Sequence, residues 1–236
     1  MKVSLLRLTG VLVLLATPAP AAVTIVDAVR FVTATVNEVV LETRAEGADA
    51  TGLFDEEEVV NVGLNGSTAI ATAGQLSFIA ADALLFEASN ETAINNETSV
   101  IGTDAFAPVE AVSDFLVEFE ITGIAHTAHL VASVFASDEF GGFSESFVSL
   151  EIPLGAVLHA IDTSDGAQSL DESLVLDPGL YRLRASSRSE DFDAESYFAG
   201  GNFAFRLELA PIPEPSAPLL MALPVLAFLM RRRRSS

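Results

Sequence analysis

Apolar and polar positions alternate with a period of two along much of this chain. Phe115, Val117, Phe119 and Ile121 fall on one side of an extended segment, with Glu118, Glu120 and Thr122 on the other. The stretch from Asn202 to Leu209 repeats the pattern. Phe203, Phe205, Leu207 and Leu209 point inward there, and Ala204, Arg206 and Glu208 point outward. Asp177-Pro178-Gly179 marks a turn before a third such strand, Leu180 to Ser187, in which Tyr181, Leu183 and Ala185 share a face. Further strands are predicted at Val23–Val36, Glu38–Thr43, Thr68–Ala73 and Gln75–Ala80. Leu130–Ala136 and Ser144–Ile152 read as a hairpin turning at Gly141-Gly142. Ala81–Ser89 fits a short helix, and Pro153–Ala160 fits a strand or one helical turn. Ala45–Glu58 and Glu87–Ala107, rich in acid, Asn, Gly and Thr, read as loops. Short strands at this spacing predict an all-β fold, a single β-sandwich or jelly-roll-like domain over residues 23–210.

Both ends break the pattern. Lys2 and Arg7, the apolar run Leu8–Ala16 and the small residues Ala19-Pro20-Ala21 form a signal peptide over residues 1–22, with cleavage expected after Ala21 or Ala22. At the other end, residues 211–236 hold Pro213-Glu214-Pro215, an uncharged segment from Ser216 to Met230, and Arg231, Arg232, Arg233 and Arg234. As a helix, that segment is about 22 Å long. A hydrocarbon core is about 30 Å thick, so the segment is short for permanent spanning. Pro218 and Pro224 interrupt it as well. The arginines favour the cytoplasmic side, which leaves the main domain outside. The expected architecture is therefore a β domain flanked by a signal-peptide helix and a short hydrophobic C-terminal helix.

Trimming both ends changes the charge picture. Residues 23–210 keep 32 acidic residues against six arginines and no lysine, a net charge near −26. Such a surface cannot neutralise phosphates, which excludes nucleic acid as a partner. Cysteine is absent, so neither disulfides nor thiolate chemistry are available. Tryptophan is absent too, which removes the indole platform that commonly stacks on sugars.

Candidate chemistry is sparse. Asp191, Asp193 and Glu195, spaced by two, are the candidate ligands for a hard cation such as Ca²⁺, without the glycine and distal glutamate of an EF-hand. Asp55-Glu56-Glu57-Glu58 reads as a solvated acidic loop or a second calcium candidate. His126 and His129 fall on opposite faces of a strand, which spoils a joint metal site. Arg182 and Arg184 share a strand face. They suit either an anionic polysaccharide or cross-strand pairing with Glu118, Glu120 or Glu208. No carboxylate pair of a glycoside hydrolase stands out among the 32 acids, and no Gly-x-Ser-x-Gly elbow is present. No catalytic residue is assigned, and a non-enzymatic role is expected.

The C-terminal order of Pro213-Glu214-Pro215, apolar segment and arginine cluster resembles the PEP-CTERM sorting signal of Gram-negative bacteria. The stretch from Phe119 to Leu209 loosely resembles the β-rich domain common in proteins bearing that signal. The resemblance implies an exosortase-type transpeptidase as processing partner and a transient stay in the inner membrane. It implies delivery to the cell surface or the extracellular polymeric matrix, with exopolysaccharide as a neighbour. A carbohydrate- or calcium-binding module is the alternative function, and a secreted glycoside hydrolase a further one.

Overall fold

Twelve strands among the described residues account for the period-two pattern. The computed structural model describes residues 21–64, 67–98, 108–139, 142–152, 156–191 and 197–213, and no helix occurs among them. The strands are β1 Ala22–Val36, β2 Val39–Glu46, β3 Gly52–Leu64, β4 Ser67–Ile79, β5 Leu85–Thr98 and β6 Val109–Thr122. They continue as β7 His126–Glu139, β8 Phe143–Ile152, β9 Ala156–Thr163, β10 Gly166–Leu176, β11 Gly179–Asp191 and β12 Tyr197–Pro211. The signal-peptide helix and the C-terminal apolar segment lie outside the described residues.

Two six-stranded antiparallel sheets result, in the orders β2-β1-β6-β11-β8-β9 and β10-β7-β12-β5-β4-β3. They pack face to face, β1 and β6 against β4, and β11 and β8 against β12. Within β5–β12 the pairs are β5 with β12, β6 with β11, β7 with β10 and β8 with β9. That is one antiparallel ribbon folded back on itself. The pairs β12–β7 and β11–β8 then join its parts into sheets. This is jelly-roll connectivity. Strands β1 and β2 extend one sheet beside β6, and β3 and β4 extend the other beside β5.

Several sequence expectations are corrected. Leu130–Ala136 and Ser144–Ile152 do not form a hairpin, because β7 and β8 belong to opposite sheets. Ala45–Glu58 is not a loop: β2 runs to Glu46 and β3 starts at Gly52, leaving only residues 47–51 as the connection. Glu87–Thr98 is the body of central strand β5 and not a loop, and Ala81–Ser89 is a turn followed by that strand. Thr68–Ala73 and Gln75–Ala80 merge into one strand, β4, through Gly74. Ala156–Thr163 takes the strand option as β9.

The core has two parts. One is aromatic: Phe86 stacks on Phe119 at 5.2 Å, Phe119 on Tyr181 at 5.7 Å, and Phe115 meets Phe205 edge-on at 4.9 Å. Such pairs contribute about 0.5–1.5 kcal/mol each beyond their area. The other part is built from small residues, with Val32, Ala34, Ala69, Ala71, Ala73, Ala111 and Ala199 around Phe54 and Ile94.

A polar seam separates these two parts. In one sheet, Ser113, Ser187, Ser146 and Thr163 form a cross-strand row. The facing sheet presents Gly201 paired with Thr92. The Thr92 and Ser187 hydroxyls lie 2.8 Å apart. Ser146 donates to the Phe135 carbonyl at 2.9 Å and bonds Ser187 at 3.0 Å. Ser144 donates to the Gly200 carbonyl at 2.8 Å. The seam is crowded enough to require glycine at 201. A Cβ there would stand 2.6 Å from Ser187 Oγ, 2.8 Å from Ser146 Oγ and 3.0 Å from Ser144 Oγ.

Arg30 faces inward and is only 2 % exposed. Its guanidinium donates to the carbonyls of Gly52 at 2.9 Å and Ala50 at 2.8 Å, and it lies over the Phe54 ring. Burial lowers its pKa. The residue fastens the β2–β3 connection to the body of the sandwich.

Candidate functional site

The outer face of the second sheet carries a shallow trench running across its strands. Its floor follows one row of the register: Asp55, Leu76, Ser89, Ala204, Ser133 and Ser169. Ser89, Ala204, Ser133 and Ser169 keep the floor low over β5, β12, β7 and β10, and the Arg206 row rises beside it. One wall holds Leu53, Phe78, Glu87, Arg206, Val131 and Asp171. The other includes Glu57, Glu91 and Phe135. Six strands at about 4.8 Å spacing make the trench roughly 24 Å long.

The polar groups in the Arg206 wall are held by ion pairs. Arg206 bonds Glu87 at 2.7 Å and also pairs with Glu208. The hydrogen bond to Glu208 is the main reason its pKa is raised. His129 Nε2 lies 2.8 Å from Asp171 beside this wall. His126, three residues away, is buried, with Nδ1 3.1 Å from the Ile124 carbonyl oxygen. The two histidines do face opposite sides.

The outer face of the first sheet is laced with charge. Arg182 pairs with Glu118, and Arg188 bridges Glu110 at 2.8 Å and Glu190 at 2.6 Å. Cross-strand pairing is thus the observed arrangement for Arg182. Arg184 lies over the Phe147 ring instead. Asp114 sits at the centre of this face. Burial raises its pKa, opposed by a hydrogen bond from Ser186 and by Arg184 and Arg188. Burial likewise raises Glu190.

The structure distributes the sequence candidates widely. Asp191, at the end of β11, is buried and accepts from Asn96 Nδ2 at 2.8 Å. Asp193 and Glu195 lie outside the described residues. Asp55–Glu58 forms part of strand β3. No cluster of three metal-ligating side chains is found among the described residues. Glu214, Pro215 and the arginines 231–234 also lie outside them.

The two chain ends of the domain emerge together. Ala22 pairs with Thr122 at the start of β1, and Pro211 pairs with His126 at the end of β12. Ile212 N–H donates to the Ala125 carbonyl at 2.9 Å, so Pro213 follows the fold without a spacer. Ala21 and Ala22 therefore sit beside the same β6–β7 turn as the start of the Pro-Glu-Pro motif.

Sequence reasoning missed the seam, Arg30 and the trench. The inward face of β11 held a signal for the seam. Tyr181, Leu183 and Ala185 are followed on that face by Ser187, Ser189 and Asp191. No protein-family model and no curated protein matches this chain.

Proposed function

We propose that this chain is a non-enzymatic exported protein whose β domain is delivered by its C-terminal tail. A signal peptide carries it across the inner membrane, and Ser216–Met230 with Arg231–Arg234 retains it there transiently. An exosortase-type transpeptidase then processes it near Pro213-Glu214-Pro215. Its destination is the cell surface or the extracellular polymeric matrix. The observation that carries this reading is the order of motif, apolar segment and arginine cluster in the tail. The position of Ile212 against the β6–β7 turn supports it, since the motif then begins where the folded domain ends. Mass spectrometry of surface-located protein tests it. The expected C-terminus lies at or near residue 215; surface protein that retains Arg231–Arg234 would sink the processing step.

The trench favours a second reading, a carbohydrate-binding module. Its serine floor and the fixed Arg206–Glu87 pair offer hydroxyl-recognising groups beside apolar Phe78 and Leu76. Calorimetric titration with neutral matrix polysaccharide should give heat that Arg206→Ala abolishes. Equal binding by the variant removes the trench as the site.

A further inference from the structure

The polar seam continues from Ser187 through its cross-strand partner Ser113 toward β4 and β5. There Gln75 and Asn90 are register partners on neighbouring strands of the facing sheet. Gln75 Nε2 donates across the sandwich to the Asp114 carbonyl of β6 at 3.3 Å. Asn90 Oδ1 accepts the Phe203 N–H of β12. These backbone partners fix which way each amide is turned, because a carbonyl needs the NH₂ and an N–H needs the oxygen. Gln75 is left with an unused acceptor, Oε1, and Asn90 with an unused donor, Nδ2. Ser77 is the next inward residue of β4 after Gln75, and Ser113 immediately precedes Asp114 and faces inward on β6. Gln75 Oε1, Asn90 Nδ2 and the two serine hydroxyls are withdrawn from solvent and have no hydrogen-bond partner among the described residues. Gln75 and Ser77 are 2 % exposed and Ser113 0 %.

Native interiors pair nearly all such groups, because an unpaired one loses its hydration without return. The composition of the set selects the ligand. Gln75 Oε1 repels an anion, and the Asn90 amide hydrogens repel a cation. The hydroxyls serve either role. One acceptor, one donor and two hydroxyls match water, which gives two hydrogen bonds and takes two. Space is available as well. The sheets stand about 10 Å apart, and the side chains of Ser113, Ser77 and its register partner Ala88 are small.

We propose that Gln75, Ser77, Asn90 and Ser113 bind an ordered internal water that ties β4 and β5 of one sheet to β6 of the other. The water completes the seam where the Thr92–Ser187–Ser146 hydroxyl row leaves off. The inference does not depend on the sorting tail or on what the trench binds.

Oxygen-17 relaxation dispersion of water tests it, with the full chain in mild detergent, because it counts waters held for longer than the protein tumbles. The wild type should show such waters. Gln75→Met keeps the side-chain length, removes the acceptor and should lower the amplitude by about one water. Ser77→Val removes a hydroxyl, places methyl groups in the same space and should lower it equally, which gives a second reading where Gln75→Met does not fold. Leu76→Ala, on the outward face between them, should keep the wild-type amplitude. Circular dichroism confirms that each chain compared is folded. A wild type without long-lived water overturns the proposal. So does a folded Gln75→Met or Ser77→Val chain with the wild-type amplitude, or an equal drop in Leu76→Ala.

Discussion

Replacing Gly201 by alanine should destabilise the domain through one added methyl group. The new Cβ would approach Ser187 Oγ to 2.6 Å and Ser146 Oγ to 2.8 Å, well inside normal contact. Neither hydroxyl can simply turn away. Ser187 is bonded to Thr92 and Ser146, and Ser146 to the Phe135 carbonyl. Overpacking of a close-packed interior costs about 1–3 kcal/mol. Displacing one or two buried hydroxyls forfeits about 1 kcal/mol for each hydrogen bond lost. The reduced freedom of the unfolded chain returns roughly 0.4–1 kcal/mol. The net loss is about 2–3 kcal/mol, which corresponds to roughly 4–12 °C in Tm for a domain of this size. Urea unfolding followed by far-ultraviolet circular dichroism measures it. The decisive comparison is the double variant with Ser187→Ala, which removes the nearest obstructing oxygen. G201A/S187A should be more stable than the sum of the single effects predicts, by about 1 kcal/mol. Strict additivity, or a Gly201→Ala variant within about 0.5 kcal/mol of wild type, would refute the steric account of the seam.

Two further expectations follow from buried charge. Arg30→Lys should lose about 1.5–3 kcal/mol, because one ammonium on a flexible stem replaces a rigid fork aimed at two carbonyls; limited proteolysis between Gly47 and Gly52 should accelerate, and an unchanged cleavage rate there would count against the stapling role. Asp114 has a raised pKa, so it binds its proton more tightly in the folded chain than in the unfolded one. Its stabilising contribution is full below the ordinary carboxyl value of 3.8 and is lost as pH rises through the higher folded value. Asp114→Asn keeps an acceptor for Ser186 and should therefore stabilise the chain at neutral pH while flattening the decline in Tm above that value. A variant less stable than wild type at pH 7 would mean that Arg184 and Arg188 outweigh burial.

Legibility from sequence followed the chemistry of the inward-facing side chains. β6 and β12 were plain because Phe115, Val117, Phe119, Phe203, Phe205 and Leu207 are large and apolar on one face. The sequence of β5 reads as a loop because its inward positions include Thr92 and Asn96, which find partners on β11 and β12 once the sheets are packed. Thr92 finds Ser187 across 95 residues of sequence, and Asn96 finds Asp191 across the same separation. The part of β3 up to Glu58 reads as a solvated loop because four successive acids, Asp55 to Glu58, interrupt the inward apolar positions Phe54 and Val60. The Pro-Glu-Pro order of the tail is a linear pattern visible in the sequence, whereas the trench is not, because its floor draws single residues from six strands.

The sequence alone determined the β class of this chain, the strong acidity of its domain and the two terminal segments that frame it. Those properties are local or additive: alternation needs only one strand, and charge needs only counting. Tertiary structure alone decided that β7 and β8 part into opposite sheets, that a serine seam divides the core, and that the acidic run lies on an open edge. Each of these depends on which distant strand becomes a neighbour. That choice is made by packing the whole ribbon against itself, where a polar residue can be buried once its partner arrives from another part of the chain.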